Sequence, residues 1–274
     1  MVSVLAKLAL IFVIVQLIGI FVGTTLIGEI ASGELEQPTI ATENPDDPIN
    51  AIALIAGILL FTGFFLVFMA FFKGSGMFRV LEVFVLFTAS LLVFGSFVPQ
   101  IAFLLAVELI ALRLLFNENV FIRNISAIIS VAGVGALIGV SLGVIPVLVF
   151  LILLSVYDFI AVFKTKHMVA LAKGISGRNL AFTVAIPTKE HQFELGTGDL
   201  VMPLVFAVSV MKADQALGFP EYIVPAALIL VASLAGLLLT IAWVEKHIGK
   251  ALPALPPQTA LMILAWLASK LIGF

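Results

Sequence analysis

Two aspartates stand inside stretches of sequence that otherwise avoid charge. Asp158 lies in Ser155-Val156-Tyr157-Asp158-Phe159-Ile160-Ala161-Val162, and Asp199 directly follows Gly196-Thr197-Gly198. A charged side chain at the middle of a bilayer costs roughly 3 kcal/mol or more, so its default reading is functional. Two carboxyl groups a few ångströms apart in low dielectric cannot both ionise easily and come to share a proton. The ionised member can then take a proton from water while the protonated member polarises a carbonyl, which is chemistry suited to hydrolysing an amide. The competing account makes each aspartate an ordinary interhelical hydrogen-bonding group. Two at one depth on consecutive spans weigh against it.

The elements that must position these groups are membrane helices. Of 274 residues, 62% are hydrophobic and 11% charged, and the mean hydropathy is +1.27. A water-facing domain carries about 25% charged residues. Apolar stretches of roughly 18 residues or more, enough to cross ~30 Å of hydrocarbon, recur along the whole chain. The fold class is therefore an all-α, polytopic membrane protein with nine spans, near Leu5–Ile27, Asn50–Phe72, Val80–Val98, Pro99–Phe116, Asn124–Leu142, Val144–Phe163, Gly198–Phe219, Tyr222–Val244 and Pro253–Phe274. Pro99, Pro146, Pro203 and Pro225 fall near helix starts, where little kinking is required. The chain reads as one membrane domain, with 1–143 holding five helices and 144–274 the four that carry the motifs, joined by a loop over 164–197.

Basic residues set the orientation. With the N-terminus cytoplasmic and the C-terminus outside, Lys7, Lys73, Arg79, Arg113, Arg123, Lys164, Lys166, Lys173, Arg178, Lys189, Lys246 and Lys250 lie in or beside cytoplasmic segments. Only Lys212 and Lys270 fall toward the other face. The first outer loop, Gly28–Ile49, carries Glu29, Glu34, Glu36, Glu43, Asp46 and Asp47 and no Lys or Arg, as a solvated loop would. Asp158 precedes Lys164 by six residues, ~9 Å at the helical rise. Span six descends and span seven climbs, so both aspartates reach the cytoplasmic third of the membrane. The Asn124-Ile125-Ser126 sequon falls on the cytoplasmic side, away from glycosylation.

Glycines and prolines surround the two acids. Gly196 and Gly198 weaken helix by about 1 kcal/mol each and let another backbone approach closely. An extended enzyme strand there could pair with an opened substrate. Before the last span, Ala251-Leu252-Pro253-Ala254-Leu255-Pro256-Pro257 packs prolines densely enough to prevent helix and leave carbonyls free. Irregular backbone at that depth is tolerated only against protein or a wet cavity.

Taken together, Tyr157-Asp158, Gly196-Thr197-Gly198-Asp199 and Pro253-Ala254-Leu255 resemble the three signatures of the presenilin and signal peptide peptidase family of GxGD intramembrane aspartyl proteases. The resemblance covers roughly Val144 to Phe274 and is closer to presenilin, of the compact microbial kind. It implies that Asp158 and Asp199 form the catalytic dyad, and that Pro253, Ala254 and Leu255 shape the site. It also implies that Gly196, Thr197 and Gly198, with the preceding loop, align an unwound transmembrane segment of another membrane protein. Tyr157 is placed to hydrogen-bond near the dyad or simply to pack. Thr197 departs from the family's usual leucine. A microbial cell membrane, no cofactor and no obligatory accessory subunits are implied as well.

Inventory excludes other chemistries. Without cysteine there is no thiol catalysis and no thiolate metal site. His167, His191 and His247 fall in or beside cytoplasmic loops, leaving no span with a histidine base or a zinc pair. With 14 basic and 16 acidic residues no basic stripe serves nucleic acid. A cation channel or proton-coupled transporter lined by Asp158, Asp199 and Glu108 is the alternative, and it leaves the glycine and proline signatures without a role. Glu82, Arg113, Lys212 and Asp214 read as snorkelling or mutually paired charges near span ends.

Overall fold

The computed structural model describes residues 2–71, 76–165, 181–187, 192–246 and 253–273. Among them nine α-helices follow one another: α1 (Val2–Ser32), α2 (Ile49–Phe71), α3 (Gly76–Phe97), α4 (Ala102–Leu115), α5 (Val120–Ser141), α6 (Val144–Ile160), α7 (Gly198–Ala213), α8 (Ile223–Lys246) and α9 (Leu255–Leu271). Val4–Ser32, Phe78–Phe97, Val120–Ser141, Val144–Phe163 and Ile223–Val244 are long and apolar enough to cross a membrane. Their outward faces stay apolar: Val80, Phe121 and Val231 are each more than two-thirds exposed. Apolar side chains facing outward over several helices are what a lipid solvent requires. The chain is an all-helical, polytopic integral membrane protein.

One helix organises the rest. From Pro203 to Met211 every residue of α7 is buried, and a helix apolar on all sides belongs inside a bundle. It packs against α1, α5, α6, α8 and α9. Small residues permit the closest approaches, as expected where backbones must meet in lipid. Leu204 fits against Gly19 of α1 and Gly135 of α5, while Val208, one turn on, fits against Gly23 and Gly139. A Cβ at Gly135 would stand 2.7 Å from Leu204 Cδ2, and one at Gly139 would stand 2.7 Å from Val208 Cβ.

Most boundaries follow the hydropathy, with differences of local cause. Helix α5 starts at Val120, earlier than expected, because the Asn119 side chain accepts from the N–H groups of Phe121 and Ile122 and caps it. Its α7 neighbour ends at Ala213, well before Phe219, and gives way to a 3₁₀ turn at Gln215–Leu217. Helix α6 stops at Ile160 and continues as a π-helical turn, Ala161–Thr165. The segment between α6 and α7 supplies the exception to an all-α chain: β1 (Thr183–Pro187) pairs antiparallel with β2 (Gln192–Gly196), Thr183 opposite Gly196. At the opposite end the acidic first loop is pinned by buried Asn50. Its Oδ1 accepts from Ala41 and Thr42 N–H, and its amide donates to the Asn44 carbonyl.

The close approaches around α7 generate a prediction. Gly135→Val or Gly139→Val should destabilise the bundle by about 1–3 kcal/mol, the usual cost of overpacking, read as a lowered thermal midpoint in detergent. Gly57→Val on α2, where an added Cβ meets nothing, should not.

Candidate active site

Three helix ends meet where the motifs lie. Asp158 is half-buried near the C-terminal end of α6. The backbone there loosens into the π turn, and the Ala161 N–H is shared between the carbonyls of Tyr157 and Asp158. Single π turns of this kind occur often at functional sites. Half-buried Tyr157 sits beside the acid.

Asp199 lies in the first turn of α7, where the unpaired N–H groups favour a negative charge. The strand pair leads directly into it. Thr197 donates to the Phe182 carbonyl through both its N–H (3.3 Å) and its Oγ1 (3.1 Å). Its own carbonyl accepts from Leu200 and Val201. The Oγ1 bond ties the start of α7 to the segment before β1 through a side chain as well as the backbone. Gly196 is exposed, and a Cβ there would lie 3.9 Å from Asp199 Oδ2. The end of β2 thus runs past the carboxyl group itself.

The start of α9 touches both acids. Leu255 N–H donates to Asp158 Oδ2 at 3.4 Å, and Gln258 Nε2 donates to the Asp199 carbonyl at 3.4 Å. These residues are three apart, about 4.5 Å along a helix, so one turn of α9 spans the gap between α6 and α7. Ser155 Oγ donates to Thr259 Oγ1 at 2.9 Å and fastens the same turn to α6. Pro253 and Leu255 are buried and Ala254 half-buried.

The proline-rich segment behaves differently from the sequence expectation. Pro256 and Pro257 do not prevent helix; they occupy the first turn of α9, where missing N–H groups cost nothing. Only Pro253 precedes it. Because two prolines follow, Leu255 supplies the donor nearest the helix start, and that donor goes to Asp158. Pro203 departs in the other sense. It lies inside α7 and removes the N–H that would have bonded the carbonyl of Asp199, four residues back.

A polar scaffold holds the strand pair against the bundle. Glu82 of α3, only 3% exposed, accepts from Arg113 Nε at 2.8 Å and from Arg79 at 3.0 Å. It also accepts from the Ala181 N–H at 2.9 Å, just before β1. Arg113 is fully buried, so these charges are paired inside the protein rather than snorkelling. Arg123 of α5 pairs with Glu194 of β2 at 3.3 Å. Asn124 grips Ala185 at both backbone groups, donating to its carbonyl at 2.7 Å and accepting from its N–H at 2.8 Å. Engaged this way, the sequon amide is occupied. A cavity of about 110 Å³ lies behind Thr197, lined by Glu82, Ser130, Phe182 and Val201 among others. Lys270 pairs with Asp214 at 2.7 Å, Lys212 donates to the Val140 carbonyl, and Glu108 is exposed on α4.

Sequence reasoning missed the strands, Asn124, Gln16 and Gln258. The β-branched, apolar run Thr183-Val184-Ala185-Ile186 and the alternation in Gln192-Phe193-Glu194-Leu195 were the signals for the strands. A glutamine inside an apolar helix, opposite a helix with a proline, was the signal for the other two. His167, His191 and His247, with Lys73, Lys166, Lys173, Arg178, Lys189 and Lys250, lie outside the described residues. Among the described residues no group of three His, Cys, Asp or Glu side chains is placed to hold a metal ion.

Two half-buried aspartates on neighbouring helices of a lipid-facing bundle, both reached by one turn of α9, suit an aspartic-type endopeptidase that works within the membrane. The profile of the family described as signal-peptide peptidase, presenilin aspartyl protease matches residues 9–194. That stretch is more than half of the chain, and the chain belongs to this family. Two solved structures of a presenilin family intramembrane aspartate protease are similar throughout. The one in space group C222 is 26% identical, covering 98% of this chain and 99% of that one at a TM-score of 0.70. The one in space group P2 is 28% identical, covering 97% of each chain at 0.69. No curated protein sequence matches.

The buried ion pairs generate a prediction. Glu82→Leu strands Arg113 without its carboxylate, and breaking a buried pair from one side costs about 3–5 kcal/mol. The thermal midpoint should fall steeply. Protease accessibility at Ala181 should rise with it, because the same carboxylate holds that N–H.

Proposed function

We propose that this intramembrane aspartyl protease hydrolyses peptide bonds within transmembrane helices of other membrane proteins, with Asp158 and Asp199 as its catalytic pair. The observation that carries the assignment is the single turn of α9 that donates to both residues, to the Asp158 carboxylate through Leu255 and to the Asp199 backbone through Gln258. One carboxylate takes a proton from water, and the other, protonated, polarises the scissile carbonyl. A cation pathway would give those two contacts no purpose.

Substrate alignment follows from the strand pair. In an antiparallel ladder, backbone groups alternate between facing the partner strand and facing away. Ala185 spends its outward pair on Asn124. Opposite it, Glu194 and then Gly196 face the other way, out from the free side of β2. An opened substrate strand added there would pass Gly196 and bring a peptide bond beside Asp199. Pro253, Ala254 and Leu255 would wall the site from the α9 side, and Tyr157 from α6. Missing side chains at Gly196 and Gly198 leave room for that strand.

We extend the reading to nine spans with the N-terminus cytoplasmic, and to substrates whose N-termini lie outside. The distribution of Lys and Arg supports this orientation. The interlock of α1 and α5 with α7 supports treating 1–274 as one membrane domain rather than two halves. Action without accessory subunits, in a microbial cell membrane, completes the proposal.

In detergent, Asp158→Asn and Asp199→Asn should each lower cleavage of a helical model peptide by at least about 10²–10⁴-fold. Full activity in either variant would refute the pair. The wild type should show a bell-shaped pH profile. Activity requires one proton on the pair, so it falls at low pH where both carboxyls are protonated and at high pH where neither is. A reporter fused after Lys173 should be found in the cytoplasm, and an extracytoplasmic signal would overturn the orientation.

A further inference from the structure

Pro203 creates a problem at the catalytic turn that another helix solves. In an unbroken α-helix, the N–H of residue 203 would bond the carbonyl of residue 199. Proline has no N–H, and its ring pushes against that same carbonyl. The main-chain oxygen of Asp199 is thus released from its own helix at a depth where water is scarce. Gln258, 0% exposed, reaches it from α9 with Nε2 at 3.4 Å. The amide orientation is chemically fixed, because a carbonyl only accepts. Among the described residues nothing bonds Gln258 Oε1, so the contact to Asp199 is what the side chain is placed to make. Gly236 of α8 allows the approach, since a Cβ there would stand 3.0 Å from Gln258 Cα.

A second glutamine holds the next carbonyl. Gln16 of α1, 4% exposed, donates from Nε2 to the Leu200 oxygen at 3.0 Å. In the helical ladder that oxygen also faces the N–H of Leu204, four residues on. Its bond to Gln16 is therefore additional, whereas the bond of Gln258 is a replacement.

Resting on the reading of Asp158 and Asp199 as the catalytic pair, we infer that Gln258 is a positioning residue that substitutes for the hydrogen bond removed by Pro203 and fixes the carboxyl of Asp199 in its reactive place. It does not touch the reacting atoms. It acts on the backbone that carries one of them, and Gln16 steadies the same turn from the far side. A rigid, complete helix would bury the Asp199 carbonyl in its own ladder. The proline frees it, and α9 takes hold of it in the same turn whose Leu255 meets Asp158. The relative placement of the two acids is thereby set by one short piece of α9.

The test uses the whole protein in detergent with a fluorophore-tagged transmembrane peptide as substrate. Gln258→Met should lower kcat by ~10- to 100-fold, the scale of a misplaced reacting group, with KM within about twofold. Pro203→Ala returns the helical donor to Asp199. Compared with Pro203→Ala alone, the double variant Pro203→Ala/Gln258→Met should therefore lose less than about threefold. Gln16→Met should show the same loss in both backgrounds, because Leu204 supplies its donor in either. Where Gln258→Met alone does not fold, the thermal midpoint carries the comparison, and adding Pro203→Ala should recover it. Wild-type kcat in Gln258→Met, or an equal loss in both backgrounds, would overturn the inference. Asp158→Asn and Asp199→Asn run alongside. Activity in either would instead refute the catalytic pair, so the two failures are distinct.

Discussion

A backbone group opened in hydrocarbon must find its hydrogen bond elsewhere in the protein, and this constraint shapes everything around the two aspartates. Cleaving a helix requires an enzyme surface that is itself not fully helical, with strands, glycines and a proline around the two acids. Each departure from helix is answered by a named donor or acceptor. The Phe182 carbonyl takes the N–H and hydroxyl of Thr197. Asn124 satisfies Ala185, Glu82 satisfies the Ala181 N–H, and Gln258 satisfies the Asp199 carbonyl. Irregular backbone is tolerated here where protein groups take up its hydrogen bonds.

The same constraint explains why α7 is central. The helix whose first turn carries Asp199 is held from several directions, by apolar packing and by polar contacts. Leu204 and Val208, seated between glycines of α1 and α5, set both depth and rotation. Polar contacts from Gln16 and Gln258 then set the first turn. The N-terminal helices α1 and α5 thus pack directly on a helix that carries one of the motifs, although the motifs all fall after residue 144.

Much of this was legible in the sequence, for a physical reason. Spans register because crossing hydrocarbon demands a stretch of about twenty apolar residues, and the acids register because charge in such a stretch is costly. Helix ends were less legible: Asn119 draws α5 outward by capping it, and Phe219 extends the apolar run past the real end of α7 at Ala213. The strands were hidden because each is five residues long, in a charged segment where alternation is brief. Glu82 and Arg113 could be singled out as charges but not paired, since they are 31 residues apart on different helices. Proline density was misread because Pro256 and Pro257 suit a helix start, whereas Pro203, which looked harmless, is the one that breaks a bond.

The two-pronged grip of Asn124 on Ala185 has an effect beyond anchoring. A two-stranded ribbon has two open borders, and either can recruit another chain. By imitating a neighbouring strand, the asparagine amide closes the border that faces α5. Growth is then possible in one direction only. A strand added to the ribbon, as proposed for a substrate, would then have a single border to join.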